Sequence, residues 1–153
     1  MTVDVVFRQA TAADLPAMLR LLVDDAVAQA RGGYGAEVTP AVAAAFDDIA
    51  RDPNNELWLG ELGGEVVAML QLTLIPGLSR GGMKRALVEA VRVRADLRSH
   101  GIGESLMRQV EARARAAGCG LVQLTTDRQR LDAHRFYERL GYLPSHIGMK
   151  KKL

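Results

Sequence analysis

The chain has 153 residues, of which 48% are apolar and 25% charged, the balance of one ordinary globular domain over residues 1–153. A net charge of +2 is too small to indicate a nucleic-acid partner or an anionic membrane surface. One cysteine, Cys119, excludes an intramolecular disulfide and fits a cytoplasmic location, and with three scattered histidines it forms no metal-ligand pattern. No apolar run approaches the roughly 20 residues of a membrane-spanning helix, so we expect no membrane, nucleic-acid or metal partner.

The first half of the chain predicts a strand, two helices and then a hairpin. In order, we expect a strand at 3–9, a helix from Thr11, a glycine-rich loop at 32–35, a helix from Thr39, and strands at 56–62 and 65–75. Thr11 and Asp14 have the spacing of an acidic capping box, and Thr39 precedes a proline at the first helical position. Gly63 and Gly64, between the two later strands, favour a hairpin turn.

The second half predicts two strand–helix units and a closing strand. We expect a glycine-rich connection at 76–82, a strand at 83–94, a helix at 101–117, a strand at 121–126, a helix at 130–140 and a final strand or hairpin at 142–153. The helix at 101–117 has an apolar stripe and is followed by Gly118, a natural residue for ending it. Because this order mixes hairpins with a crossover helix, the chain predicts an α+β protein with a mixed sheet.

The turn between the predicted strand at 83–94 and the next helix is typical of an anion-binding site. It reads Arg-Ser-His-Gly-Ile-Gly from Arg98 to Gly103. Free N–H groups and the dipole of a helix start favour a phosphate, and Gly101 and Gly103 have no Cβ to obstruct its oxygens. A dinucleotide-binding fingerprint is excluded because Leu106 stands where a third glycine is needed. The alternative is a plain helix start that happens to contain glycine.

A second motif lies some thirty residues downstream and reads Ala-His-Arg-Phe-Tyr-Glu-Arg-Leu-Gly-Tyr from Ala133 to Tyr142. Together the two segments resemble the GNAT superfamily of N-acetyltransferases. The first is similar to its coenzyme A pyrophosphate motif, Arg/Gln-x-x-Gly-x-Gly/Ala, and the second to its closing motif, Ala-x-x-Phe-Tyr-x-x-x-Gly-Phe/Tyr. The resemblance extends over residues 88–142 and implies the GNAT fold, with a mixed, mostly antiparallel sheet of about seven strands flanked by about four helices.

The resemblance also implies a function. A GNAT enzyme transfers an acetyl group from acetyl coenzyme A to a primary amine by direct attack in a ternary complex, which is acyltransferase chemistry. The alternative is a non-catalytic acyl-coenzyme A sensor or regulatory module on the same fold, because a fold by itself does not establish an activity. The resemblance implies two binding partners, coenzyme A and an amine acceptor that is a small molecule or a peptide. It leaves open whether the chain forms a homodimer.

Glu89 is the candidate general base. Alternate residues of a strand share a face, which places Glu89 with Leu87, Val91 and Val93 in an otherwise apolar row. A carboxylate there would be partly desolvated, which suits a base working near neutral pH. The resemblance adds that many GNAT enzymes carry a Glu at this point and use it through a water. The alternative is a strand-end Glu in a local ion pair, and a bulge would change the face that Glu89 uses.

Tyr137 is the candidate general acid. It occupies the Tyr of the closing motif, which in the family points at the coenzyme sulfur. A phenol with a pKa near ~10 stays protonated at neutral pH and can donate to a departing thiolate. The alternative is a core aromatic, because Tyr137 lies beside the apolar stripe of its helix.

The resemblance implies a coenzyme site built largely from backbone. The fourth and fifth strands of the family splay apart, and freed backbone groups pair with the pantetheine arm. The predicted coenzyme-binding residues are Val91, Arg92, Val93, Arg98, Ser99, His100, Gly101, Ile102, Gly103, Ser105, Ala133, Phe136 and Tyr137.

Two further regions leave alternatives open. Many relatives carry Asn where this chain has Arg130, which either meets a phosphate or is an exposed helix arginine. In this fold the acceptor groove is bounded by the first two helices and the loop between them. Asp24, Asp25 and Glu37 lie there and either attract a cationic amine or are simply exposed acids.

Overall fold

A mixed five-stranded sheet organises the protein. The computed structural model describes residues 3–30, 32 and 34–153. The strands are β1 (Val6–Gln9), β2 (Asn55–Leu62), β3 (Glu65–Ile75), β4 (Lys84–Val93) and β5 (Cys119–Leu124). They lie side by side in chain order, antiparallel from β1 to β4, and β5 runs parallel to β4. The predicted α+β class with a mixed sheet is confirmed.

Helices cover both faces of this sheet. They are α1 (Leu15–Val23), α2 (Ala26–Ala30), α3 (Pro40–Arg51), α4 (Ile102–Ala116) and α5 (Leu131–Arg139). Local sequence explains their starts: the backbone N–H of Thr11 donates to Asp14 Oδ2 at 2.7 Å, and Thr39 Oγ1 accepts the N–H of Val42 at 3.2 Å. Both predicted N-caps are therefore present, although the first opens a short 3₁₀ turn, Ala12–Asp14, before α1.

Each face of the sheet has its own core. On one face, α4 packs Ile102, Leu106 and Val110 against Leu70, Leu72 and Val88 of the two central strands, all nearly inaccessible to solvent. On the other face, α1 and α3 cover the sheet through a second apolar cluster: Met18, Leu21, Phe46, Leu59 and Met69. The apolar stripe predicted for the helix at 101–117 is thus the buried face of α4.

The parallel pairing of β4 with β5 is short. It runs from Lys84 to Val88, whereas the register of β4 with β3 continues to Val93. Beyond Val88 the two strands no longer pair, which leaves a gap beside residues 89–93. The family resemblance implies a splay of the two strands at this place, and the structure shows that their pairing ends at Val88, opposite the last residue of β5, Leu124.

The sequence over-predicts the number of strands. The described residues contain five rather than about seven, and 142–153 has no regular secondary structure where a closing strand or hairpin was expected. The prediction of that strand is wrong, because a segment forms a strand only where the edge of another strand is available to pair with it, and Leu143, Ile147 and Met149 stay exposed. Gly33, within the predicted loop at 32–35, lies outside the described residues. Among those residues, no helix has both the length and the apolar character needed to cross a bilayer.

Candidate active site

A bulge in β4 determines which side chains face the site. Glu89 pairs with Gln71 and Arg92 with Met69, so two residues of β4, Ala90 and Val91, stand opposite a single residue of β3. Ala90 has φ 53°, in the left-handed region that a non-glycine residue rarely adopts. The bulge therefore shifts the alternation of side chains by one position.

This shift corrects the predicted surroundings of Glu89. Val91 and Val93 pack with the α4 core, on the face of Val88, whereas Glu89 is exposed on the opposite face. The expectation of a partly desolvated Glu89 in an apolar row is wrong, because that row assumed unbroken alternation. Glu89 instead shares its face with Arg92, since their partners on β3 are two residues apart. It is the face covered by α1 and α3.

The backbone of Val91 and Val93 faces the gap between β4 and β5. The N–H of Arg94 donates to Val67 of β3 at 2.8 Å, and the hydrogen-bonding direction alternates along an antiparallel strand. The amide groups of Val91 and Val93 therefore point away from β3. The carbonyl of Val91 accepts Arg92 Nη1 at 2.9 Å, and that of Val93 accepts Arg98 Nε at 3.1 Å.

The glycine turn leads directly into the N-terminus of α4. Ser99 with φ 65° and Gly101 with φ 81° tighten it, and the intrahelical ladder begins where Ser105 N–H donates to Gly101 O at 3.0 Å. The N–H groups of residues 102–104 therefore precede this ladder and are oriented toward a ligand at the helix end. His100 folds back onto the turn, with its Nδ1 2.8 Å from Arg98 O, and the Ser105 side chain is exposed.

Two residues of the turn, Ile102 and Gly103, can offer only backbone groups to a ligand. The side chain of Ile102 is buried in the α4 core. A Cβ on Gly103 would lie 3.3 Å from Phe136 Cζ and 3.8 Å from Val93 Cγ2. The missing Cβ of Gly103 therefore also lets α5 pack against the start of α4.

A cationic cleft separates the glycine turn from the N-terminus of α5. It has a volume of about 520 Å³ and brings together Arg98 and Ala133, both predicted coenzyme contacts. Its lining residues are Arg98, Gln129, Arg130, Leu131, Asp132, Ala133 and Arg135. Three guanidinium groups against one carboxylate make this cleft suited to a ligand with several phosphates.

Tyr137 belongs to α5 and is half-buried. Its ring meets Phe136 edge-on with centroids 5.0 Å apart and Tyr142 at 5.9 Å, so it packs as a core aromatic does. Burial raises the pKa of Tyr137, while the charges of Arg92 and Arg130 oppose that rise. The phenol is therefore protonated at neutral pH, with two arginines close enough to act on it.

Those two arginines share one buried carboxylate, a feature that the sequence did not indicate. Arg92 Nη2 is 2.9 Å from Asp25 Oδ2, and Arg130 Nη2 donates to the same oxygen. The side chains of Asp25, Arg92 and Arg130 are 6%, 18% and 22% exposed. The exposed-residue alternatives are therefore wrong for both Asp25 and Arg130. We name these three residues the Asp25 cluster.

The other two acids of the predicted acceptor region remain at the surface. Asp24 is half exposed, and its backbone carbonyl accepts Arg98 Nη2 at 3.1 Å. Glu37 is exposed. Only Asp25 of the three points into the site, and no local pattern distinguishes it from its neighbour in sequence.

Comparison with known proteins identifies a family over most of the chain. The family model described as the acetyltransferase (GNAT) family matches residues 16–142. An aminoalkylphosphonate N-acetyltransferase of Salmonella typhimurium is 39% identical over 102 residues, which are 67% of this chain and 66% of that protein. A tRNA(Met) cytidine acetyltransferase of Aeropyrum pernix is 33% identical over 54% of this chain, but the match spans only 11% of that protein.

Solved structures agree over nearly the whole chain. One named as a transcriptional regulator from Bacillus halodurans has a TM-score of 0.93 and 43% identity, and the match covers 98% of this chain and 100% of that one. Glucosamine-6-phosphate N-acetyltransferase of Arabidopsis thaliana has a TM-score of 0.78 over 97% and 98% of the two chains, and at 19% identity it supports the fold alone. With the family model matching most of its length, this chain belongs to the GNAT family of acetyltransferases.

Proposed function

We propose that this protein transfers the acetyl group of acetyl coenzyme A to a primary amine by direct attack within a ternary complex. The family implies acetyl coenzyme A as cosubstrate and an amine as acceptor. The observation that carries the proposal is the end of β4–β5 pairing at Val88, together with the glycine turn that follows β4 and the protonated Tyr137, which packs against the same core as Val91 and Val93. In the reaction the new bond joins the amine nitrogen to the acetyl carbon, and the bond from that carbon to sulfur breaks.

The residues around the gap fit the coenzyme. The amide groups of Val91 and Val93 would pair with the pantetheine arm as an added strand does. Arg92 and Arg98, which now donate to the carbonyls of Val91 and Val93, would have to move away from them first. The N-terminus of α4 would hold the pyrophosphate, and Arg98 and Arg135 of the cationic cleft would meet the remaining negative charge. The coenzyme supplies the activated acetyl group.

Glu89 acts as the general base in this proposal. An alkylammonium titrates near ~10, so at neutral pH the acceptor must lose a proton before it can attack. Glu89 is exposed on the face covered by α1 and α3, where an acceptor bounded by those helices would lie. It takes that proton directly or through one water.

Tyr137 acts as the general acid. The departing thiolate, with a parent pKa near ~8.5, gains from a proton delivered as the carbon–sulfur bond breaks. Burial raises the pKa of Tyr137 and so holds the proton on the phenol, while the charges of Arg92 and Arg130 lower that pKa and so favour release of the proton. The Tyr137 proton passes to sulfur and is restored from solvent after the products leave.

The test is an acetyl coenzyme A turnover screen with free thiol as the readout. The acceptor panel contains neutral alkylamines, amino acids, a lysine peptide and, because the Salmonella relative is named for them, aminoalkylphosphonates. Turnover that depends on one class of amine supports the proposal. Absence of turnover with every amine, under conditions where the protein binds acetyl coenzyme A, contradicts it.

A second candidate is a non-catalytic acyl-coenzyme A sensor. It is favoured by the Bacillus halodurans structure, which is 43% identical and named a transcriptional regulator. A sensor would bind acetyl coenzyme A in calorimetry and leave it intact in the turnover screen. The retention of both Glu89 and Tyr137 is the reason that the enzyme is preferred.

A further inference from the structure

The Asp25 cluster joins three parts of the chain that are far apart in sequence. Asp25 immediately precedes α2, Arg92 lies in β4 after the bulge, and Arg130 is the N-cap of α5. One carboxylate oxygen receives both guanidinium groups. The charges of these three side chains sum to +1, in a place that is largely shielded from water.

Such an arrangement is suited to an anion. Partly desolvated cations are stabilised by a negatively charged partner, and a guanidinium presents a fork of N–H donors that matches phosphonate, phosphate or carboxylate oxygens. Asp25 holds the two forks side by side. In this arrangement the carboxylate orients the arginines, and their combined positive charge exceeds its own.

The bulge places the cluster on the acceptor side of the sheet. Arg92 and Glu89 share a face, and their partners on β3 are two residues apart, a distance of roughly 7 Å along the strand. The charges of Arg92 and Arg130 also act on Tyr137. A ligand that meets Arg92 with an anionic group would therefore carry its neighbouring atoms toward Glu89.

We propose that Arg92 and Arg130, held by Asp25, bind an anionic group on the acceptor, which is a short amine with its negative charge a few bonds from the nitrogen. The inference rests on the proposed acetyltransferase function and names the substrate class for the same site. Glu89 serves the amine end of the acceptor and the Asp25 cluster serves the anionic end.

The coenzyme is the competing partner for these arginines, since Arg130 also borders the cationic cleft. Arg92 does not line that cleft, so its substitution separates the two assignments. The principal variant is Arg92→Gln, and Arg130→Gln is a second one in case the first fails to fold. Arg115→Gln is the matched control, because Arg115 is an exposed arginine of α4.

The experiment compares 2-aminoethylphosphonate with n-butylamine as acceptors. We expect Arg92→Gln to lower the ratio of kcat/KM values, phosphonate over butylamine, by about 10- to 100-fold, the effect of losing one hydrogen bond to a charged group. Arg115→Gln should leave the ratio unchanged. Equal losses for both amines would overturn the proposal, and so would weaker acetyl coenzyme A binding with an unchanged acceptor ratio.

A binding measurement separates this inference from the proposed function. Calorimetry with 2-aminoethylphosphonate is performed on the wild-type protein saturated with coenzyme A. Binding that weakens at least tenfold in Arg92→Gln supports the anion site even if no amine is acetylated, and absence of binding to the wild type overturns it. A parallel titration with β-alanine compares a carboxylate with the phosphonate group. Tighter binding of either compound supports the proposal that the acceptor is anionic.

Discussion

Replacing Tyr137 with Phe removes one hydroxyl and keeps the aromatic ring. The ring would retain its edge-on contacts with Phe136 and Tyr142, at 5.0 Å and 5.9 Å between centroids. Burial and the charges of Arg92 and Arg130, and no hydrogen bond from the described residues, act on the Tyr137 phenol. Loss of the hydroxyl group therefore leaves none of those residues without a hydrogen-bond partner. We expect the free energy of unfolding to change by less than about 1 kcal/mol.

The reaction rate should respond much more strongly. Loss of a positioned acid lowers the rate by a factor on the order of 10 to 10³, which corresponds to about 1.4–4 kcal/mol in the activation free energy. The raised pKa of Tyr137 gives the sign of the pH dependence: the wild-type acid stays protonated at pH values where an ordinary tyrosine would ionise. The advantage of the wild type over Tyr137→Phe should therefore persist at moderately alkaline pH.

The assay uses two acetyl thioesters, acetyl coenzyme A and an analogue with a more acidic leaving thiol. A better leaving group needs less protonation, so the gap between wild type and variant should narrow with the analogue. Denaturant unfolding of both proteins provides the stability control. Equal rate losses with both thioesters, or a large loss of stability, would refute the reasoning and return Tyr137 to the role of a core aromatic.

Three further predictions concern other parts of the chain. Glu89→Gln should lower turnover at neutral pH without changing acetyl coenzyme A affinity in calorimetry. The loss of rate should shrink as the pH approaches the pKa of the acceptor amine, near ~10, where the amine is already neutral. A loss of rate that is the same at every pH would mean that another group is the base. Gly103→Val should destabilise the protein by about 1–3 kcal/mol and weaken coenzyme binding, because even the Cβ of the new side chain would lie 3.3 Å from Phe136 Cζ. Thermal unfolding measures the effect, and an unchanged unfolding midpoint would contradict this packing. The Arg8 hydrogen bonds lower the pKa of Asp14 from 3.8 to about 2, so Asp14 stabilises the fold above its unfolded pKa and loses this contribution as the pH falls through about 2. Asp14→Asn should therefore cost roughly 1 kcal/mol at pH 7, given the partial exposure of Arg8, and progressively less toward pH 2; a cost independent of pH would rule out the ion pair as its source.

Local features of the sequence predicted most of the fold. The caps at Thr11 and Thr39, the Gly63-Gly64 hairpin and the glycine turn before α4 depend on residues only a few positions apart. Short-range sterics and hydrogen bonds therefore act on them in the same way in any surroundings. The two family motifs are local in the same sense, and the family to which they pointed is confirmed.

Other features depend on which distant segments come together. The bulge at Ala90 puts Val91 and Val93 on the face opposite Glu89, because the register of β4 is set by pairing with β3 and not by alternation within the strand. The closing strand expected at 142–153 does not form, because these residues acquire no sheet partner among the described residues. A side chain at position 103 would press on Phe136, which belongs to another helix.

The Asp25 cluster depends most strongly on tertiary structure. Positions 25, 92 and 130 carry ordinary charged residues, and each one by itself resembles a solvated surface side chain. The sequence by itself determined a GNAT fold, a coenzyme-binding turn and two candidate catalytic residues, since those follow from local pattern and motif. Only the folding of α1, α2, β4 and α5 around one another decided that two arginines share a buried carboxylate beside Tyr137, because a long-range ion pair has no periodicity that a linear sequence can display.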